Sequence, residues 1–219
     1  MGSIIQNAAN NVGANGVFSS SALNNSSLSG ISALPSGVAG EPKLLTTATA
    51  SSSASLSFNS TYINSSYKIY KFEFINIHPA TNDVAFRFQG SIDNGSNYGV
   101  TITSTAFASQ HEENDTGATL TYLTASDLAQ STNFQPIGAS GNDNDQNTVG
   151  ILYLFNPSST TYVKHWLATT NFTDHGDGSY NRFYAGYFNT TSDINALQFQ
   201  FSSGNIDAGQ IKLYGIGAN

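Results

Sequence analysis

Residues 84–103, VAFRFQGSIDNGSNYGVTIT, carry apolar side chains at every second position on both sides of a short polar segment. Apolar residues fill positions 84, 86 and 88, and again positions 98, 100 and 102. A period of two places alternate side chains on opposite faces of an extended chain, which predicts a β-strand on each side. The Asp93-Asn94-Gly95 segment predicts a tight turn between them, because Asn and Gly accept positive φ angles.

The same alternation recurs along the chain from about residue 44. Further predicted strands cover residues 54–59, 67–77, 118–123, 149–155, 160–169, 181–189, 194–201 and 210–216. About ten short strands separated by turns are typical of an antiparallel sandwich, and the absence of an internal repeat argues against a propeller or a solenoid. We therefore expect an all-β fold: an antiparallel β-sandwich or jelly-roll body over residues 44–219, preceded by an extended N-terminal arm over residues 1–43.

The predicted arm differs sharply in composition from the body. Ser, Asn, Gly and Ala supply 27 of its first 40 residues, and Glu41 is its first charged residue. Ordering 40 backbone units costs on the order of 40–80 kcal/mol, whereas burying nine apolar side chains returns only about 14–27 kcal/mol. The arm therefore needs a partner surface, and we predict that it is an attachment arm. The apolar residues that we assign to attachment are Ile4, Ile5, Val12, Val17, Phe18, Leu23, Leu28, Ile31 and Leu34.

Charge and cysteine content exclude several kinds of partner. Seven scattered Lys and Arg residues stand against 14 Asp and Glu residues, for a net charge of −7. Nucleic-acid binding needs clustered cations, so no nucleic-acid partner is expected. The chain has no Cys, hence no disulfide and no thiolate metal site. No apolar run approaches the roughly 18 residues of a membrane span, and no leader pattern is visible. We expect no membrane partner, and synthesis in a cytoplasm.

Motifs that support catalysis are missing from the sequence. There is no Gly-x-Ser-x-Gly elbow, no phosphate-binding loop and no His-Glu-x-x-His, and the four His residues are far apart. Loop carboxylates could in principle hydrolyse a glycoside, but the scaffold is short for such a cleft. The Asp143–Asn147 run lacks the Gly and Glu of a calcium loop. We expect no enzyme, no cofactor and no metal site.

Two predicted strands carry bulky residues on both faces. In residues 67–77, Ile69, Ile75 and Ile77 share one face, and Tyr70, Phe72 and Phe74 share the other. Residues 183–188 show the same doubling. A sandwich strand needs only one buried face. The second face is covered by long loops, forms a subunit interface or acts as a glycan platform, and the sequence leaves these alternatives open.

Trp166 is the single Trp of the chain. In a strand over 160–169 it shares a face with Tyr162 and Lys164. An exposed Tyr/Lys/Trp face would suit glycan stacking or a subunit interface, whereas burial in the core is the ordinary alternative for a lone Trp.

Four segments carry a resemblance to a known family. They are Lys71–Thr81 (KFEFINIHPAT), Asp127–Thr132 (DLAQST), Phe155–His165 (FNPSSTTYVKH) and Ser203–Ile216 (SGNIDAGQIKLYGI). Over roughly residues 44–216 the chain resembles virion-associated structural proteins of marine tailed bacteriophages. These segments are typical of a fold and not of a catalytic site.

The resemblance implies a structural protein of a tailed-phage virion, made in the host bacterial cytoplasm and located on the virion surface. We expect a jelly roll anchored to the capsid by its arm, as a decoration or head-fibre protein, and a homotrimer. The alternative is a tail-fibre or receptor-binding module that recognises host surface glycans. The expected partners are capsid or tail proteins, and the sequence does not distinguish head from tail.

Overall fold

The computed structural model describes residues 42–218, which form twelve β-strands and no helix. The strands are β1 (Lys43–Thr49), β2 (Leu56–Phe58), β3 (Tyr67–Pro79), β4 (Val84–Ser91), β5 (Ile102–Glu112), β6 (Ala118–Tyr122), β7 (Gln135–Ser140), β8 (Thr148–Phe155), β9 (Lys164–Thr173), β10 (Gly178–Phe188), β11 (Ala196–Phe201) and β12 (Ile206–Ala218). Within this range no helix is available that could cross a lipid bilayer.

The strands form two sheets of unequal size. The large sheet has eight strands in the order β1-β12-β3-β8-β9-β10-β5-β6, and the small sheet has four in the order β2-β11-β4-β7. Every pairing between neighbouring strands is antiparallel. The predicted all-β antiparallel sandwich is confirmed for this part of the chain, whereas residues 1–41 of the predicted arm lie outside the described residues.

The connectivity between the sheets is nested. Strands β1, β2, β3 and β4 pair with β12, β11, β8 and β7 respectively, and these four pairs alternate between the large sheet and the small one. Two antiparallel chain segments are thus wound together across both sheets, which is the winding of a jelly roll.

Aromatic rings fill the space between the sheets, and Phe199 of β11 lies at their centre. Five rings lie within 5.3–6.1 Å of its ring centroid: Phe58, Phe72, Phe74, Phe86 and Phe88. All six residues are buried. Edge-on and tilted contacts of this kind add to the free energy gained by burying apolar area.

One core residue, Ile77, lies on the opposite face of its strand from the one that the sequence pattern predicts. The alternation of residues 67–77 places it on one face with Ile69 and Ile75, but it is fully buried, like the residues from Tyr70 to Phe74 that the alternation assigns to the other face. A β-bulge causes the difference. Asn76 has a φ of 50°, and the register of β3 against β8 shifts between Phe74 and Ile77. The extra residue turns Ile77 from the outer face to the core.

The predicted turn after β4 is present. Asn94 and Gly95 have φ values of 61° and 87°, and Ser96 N donates to Asp93 O. The strands on its two sides do not pair with each other, because β4 belongs to the small sheet and β5 to the large one. The second strand also begins later than expected, at Ile102.

We predict that Phe199→Ala lowers the free energy of unfolding by about 3–5 kcal/mol, because it leaves a cavity at the centre of the ring cluster. Leu167→Ala is the control: it removes a half-exposed side chain outside the core and should cost less than about 0.5 kcal/mol. Urea denaturation of both variants measures the difference. Equal destabilisation by the two substitutions would contradict the central role of Phe199.

Candidate contact surface

The face of the large sheet that points away from the small sheet carries aromatic side chains in register. Phe183 of β10 pairs with Phe107 of β5, and Phe107 pairs with Tyr122 of β6. Residues paired in this way have side chains on the same face. Ala106, Ala108 and Tyr184, next to them in sequence, are buried on the opposite face. A row of three rings therefore crosses three adjacent strands on the outside of the molecule.

These rings are open to solvent. Phe107 is 44% exposed and Phe183 is 36% exposed, and their rings stack at 4.8 Å between centroids with 12° between planes. Of the eight large apolar side chains that are exposed within residues 42–218, five lie on this face of β5, β6, β9 and β10. We call them the outer patch: Phe107, Leu120, Tyr122, Leu167 and Phe183. Exposed apolar groups of this kind are common at interaction sites, which makes the outer patch the candidate contact surface.

One ring of the outer patch is held by a polar contact. Tyr122 Oη donates a hydrogen bond of 2.7 Å to Asp127 Oδ2, in the loop that follows β6. This bond raises the pKa of Tyr122 above its ordinary value, since the carboxylate accepts from the protonated phenol. A side chain already fixed in place loses less conformational entropy when a partner covers it.

The same outer face becomes polar toward β3. Lys71 Nζ lies 2.6 Å from Glu73 Oε1, and the ammonium also lies 5.6 Å from the ring centre of Tyr214. The hydrogen bond from Lys71 holds the pKa of Glu73 below its usual range and raises the pKa of Lys71. The five side chains of the outer patch are thus uncharged, and the ion pair of Lys71 and Glu73 lies across the sheet on β3.

Two of the three residues considered for an exposed glycan or interface face, Lys164 and Trp166, are buried instead, as the core alternative for Trp166 expects. Strand β9 begins only at Lys164, and both Lys164 and Trp166 are fully buried on its inner face. Trp166 packs edge-on against Phe88 at 5.0 Å. Gly186 on the neighbouring strand makes room for the indole, because a Cβ there would lie 2.5 Å from Trp166 Cζ2. Only Tyr162, in the preceding loop, is exposed, at 71%.

Buried Lys164 ties two loops together. Its Nζ donates to Tyr162 O at 2.6 Å and to Thr190 O at 3.1 Å. Burial lowers the pKa of Lys164, and the nearby charge of Asp193 offsets part of that effect. The amine thus acts as a structural clamp that positions the loop bearing Tyr162.

An open hollow lies beside Tyr162. Its volume is about 560 Å³, and Phe155, Asn156, Ser159, Thr161, Tyr162, Val163, His165 and Thr191 line it. Aromatic rings and hydroxyl groups meet there, which is the combination that sugar rings contact through their apolar faces and hydroxyls. Of Tyr162, Lys164 and Trp166, only Tyr162 is exposed and lines this hollow.

Charged clusters do not add a further site. Within residues 42–218 there is no group of three or more His, Asp or Glu side chains placed to hold a metal ion. The Asp143–Asn147 segment forms a turn in which Gln146 N donates to Asp143 O, and the Gln146 amide donates to Asp177. The nine apolar residues assigned to the attachment arm all lie outside the described residues.

Comparisons with protein-family models, with curated proteins and with solved structures found no match to this chain.

Most of the outer patch was not singled out from the sequence. Phe183 was placed correctly on the second bulky face of its strand, but Phe107, Leu120 and Tyr122 were not named. A weak signal exists for Phe107, because it is the one large apolar residue among the small and polar residues 103–109. The grouping itself depends on which strands are neighbours, and alternation within one strand does not contain that information.

We predict that Lys164→Met leaves the fold intact but loosens the Tyr162 loop. Two carbonyl groups lose hydrogen bonds from a charged donor, worth about 1.5–3 kcal/mol. Amide hydrogen exchange over residues 159–163 should therefore accelerate at least about tenfold. Lys68→Met, the same change at an exposed position, is the control and should leave this exchange unchanged. Unaltered exchange in Lys164→Met would contradict the clamp.

Proposed function

We propose that this protein is a structural protein of a tailed-phage virion. In this proposal the jelly-roll body is displayed on the particle surface and residues 1–43 anchor it to the capsid, as in a decoration or head-fibre protein. The observation that carries the proposal is the outer patch, a pre-arranged apolar contact surface on a β-sandwich with few charged residues. The resemblance of residues 71–81 and 203–216 to virion proteins supports the same function.

The size of the outer patch suits a contact made in a large assembly. Each of its five partly exposed side chains contributes on the order of 100 Å². Covering all five would contribute roughly 10 kcal/mol of favourable binding free energy. Association costs about 4–15 kcal/mol, because the two partners lose translational and rotational freedom. The patch alone therefore gives a weak contact. A second, tethered attachment would strengthen it through effective concentration, which is the contribution we assign to the arm.

The expected homotrimer, which we assign to the assembled particle and not to the free protein, would act in the same direction. Three arms presented together bind with higher avidity than one, without any new contact. Nothing in this arrangement requires a catalytic group, a cofactor or a metal ion, and we propose that the protein is not an enzyme.

The test is immunogold labelling of intact virions with antibody against the 44–219 body. We expect gold over the head. A truncated protein that lacks residues 1–43 should remain folded, by circular dichroism, and fail to attach to particles that lack the full-length protein. The anchoring proposal is wrong if the truncated protein decorates particles as well as the full chain does. Absence of gold from particles with intact epitopes would overturn the virion assignment.

A variant of the outer patch separates its contribution from that of the arm. Replacing both Phe107 and Phe183 with Ser should weaken retention of the full-length protein on particles at raised salt and dilution. Ile92→Ser removes a similarly exposed apolar side chain from the loop after β4 and should leave retention unchanged.

The hollow beside Tyr162 favours one second candidate, a tail-fibre or receptor-binding module for host surface glycans. Tyr162→Ala should then abolish adsorption of the pure protein to host cells and its signals on a glycan array. Tyr162→Phe keeps the ring and should retain most of the binding, since stacking needs only the ring face. No array signal and no adsorption by the unaltered protein would remove this candidate, and gold over the tail would support it.

A further inference from the structure

Strand β6 leaves one edge of the large sheet open. Leu123 N, just after the strand, donates to Ala106 O of β5. Hydrogen-bonded pairs recur at every second residue of an antiparallel ladder, so positions 119 and 121 also bond to β5. The backbone N–H and C=O groups of the alternate residues Ala118, Leu120 and Tyr122 point away from β5, toward the open edge. These groups are placed to pair with another strand.

The other sheet edges are protected against such pairing. Strand β1 begins with Lys43 and contains a register shift in its pairing with β12. Strand β2 has only three residues, and β7 contains Pro136 and a register shift against β4. Short strands, bulges, Pro and Lys are the features that keep edges from pairing. Among the four edge strands of residues 42–218, β6 is the one that has more than three residues, pairs without a register shift and contains neither Pro nor a charged residue.

The side chains of β6 make its edge accessible. All five of its residues, Ala-Thr-Leu-Thr-Tyr, are exposed, and Leu120 is 76% exposed. Leu120 and Tyr122 lie on the outer face beside Phe107, and two Thr side chains lie on the other face. An incoming strand would therefore gain backbone hydrogen bonds together with apolar cover on one face.

We propose that β6 pairs with β6 of a second copy of this chain, in antiparallel register about a two-fold axis at Leu120. Leu120 then faces its own counterpart, and Ala118 faces Tyr122 of the second copy. All three outward-facing residues become hydrogen-bonded, giving about six backbone hydrogen bonds. The two large sheets would join into one continuous sheet.

The composition of β6 favours a second copy as the occupant. Each chain carries a net charge of −7, so two copies repel each other over most surfaces, and an uncharged strand is a place where they can approach. Pairing about Leu120 brings no like charges directly opposite each other within the strand. The small Ala118 leaves space for the ring of Tyr122 across the axis. The strand is therefore self-complementary in shape.

The size of the contact limits its strength. A five-residue strand with flanking side chains buries less than the roughly 1,200 Å² of a standard stable interface. A reversible dimer with a dissociation constant on the order of micromolar is expected. This contact does not depend on the proposed virion role, because particle labelling and the mass of the free protein are measured separately.

The first test is the mass of the full-length protein by sedimentation equilibrium over a range of concentrations. We expect a rise from one chain to two. Leu120→Lys should remain a single chain, because it places two ammonium groups on the axis. Leu167→Lys, the same change on the same face but on β9, three strands away from β6, should dimerise like the unaltered protein. A single chain at every concentration, or a trimer, would overturn the proposal.

Two further measurements distinguish backbone pairing from side-chain contact. Leu120→Pro removes an N–H that points away from β5, so the fold should survive while the dimer is lost. In the unaltered protein, amide exchange at Leu120 and Tyr122 should slow at high concentration relative to dilute protein, since these N–H groups are bonded only in the dimer. A dimer that persists in folded Leu120→Pro, or exchange independent of concentration, would also overturn the proposal.

Discussion

The packing of aromatic rings between two unequal sheets is the constraint on which the rest of the structure depends. Phe199 and its five neighbours occupy the inner faces, so strand alternation directs the residues between them outward. The large sheet has eight strands and the small sheet four. At one end of the large sheet, Ala106 and Ala108 of β5 are buried on the inner face, whereas Thr119 and Thr121 of β6 are exposed on it. The outer patch lies on the opposite face of these two strands and of β9 and β10.

Sequence patterns within a single strand or turn correctly predicted those strands and turns. The aromatic alternation of β3, β4, β10 and β11 and the turn at Asn94 are visible in the sequence. Strand β7 and most of β5 were not predicted, because most of their buried positions hold small or polar residues such as Ser104, Ala106 and Gln135, whose burial comes from the neighbouring sheet and not from their own hydrophobicity. The bulge at Asn76 was also not predicted, since one extra residue inverts the alternation and no characteristic residue type marks its position.

The candidate sites show the same division between local and long-range information. Trp166 and Lys164 follow the predicted alternation, but which face is buried depends on the β8 and β10 neighbours and on the space left by Gly186. Lys164 is buried because two carbonyl groups from separate loops accept its hydrogen bonds, an arrangement that spans 26 residues of sequence. The outer patch likewise draws on four strands, and pairing register decides which of their side chains meet.

The position of β1 has a mechanical consequence. Lys43, where the described chain begins its first strand, pairs with Gly215 near the end of β12. Tension applied through the preceding residues would peel β1 from β12 one hydrogen-bonded pair at a time, starting at Lys43, because the load acts on the end of an antiparallel pair. Seven residues released at ~3.4 Å each would add roughly 24 Å of slack. Strand β1 would thus detach before the force reached the aromatic core, and it could pair with β12 again when the tension fell.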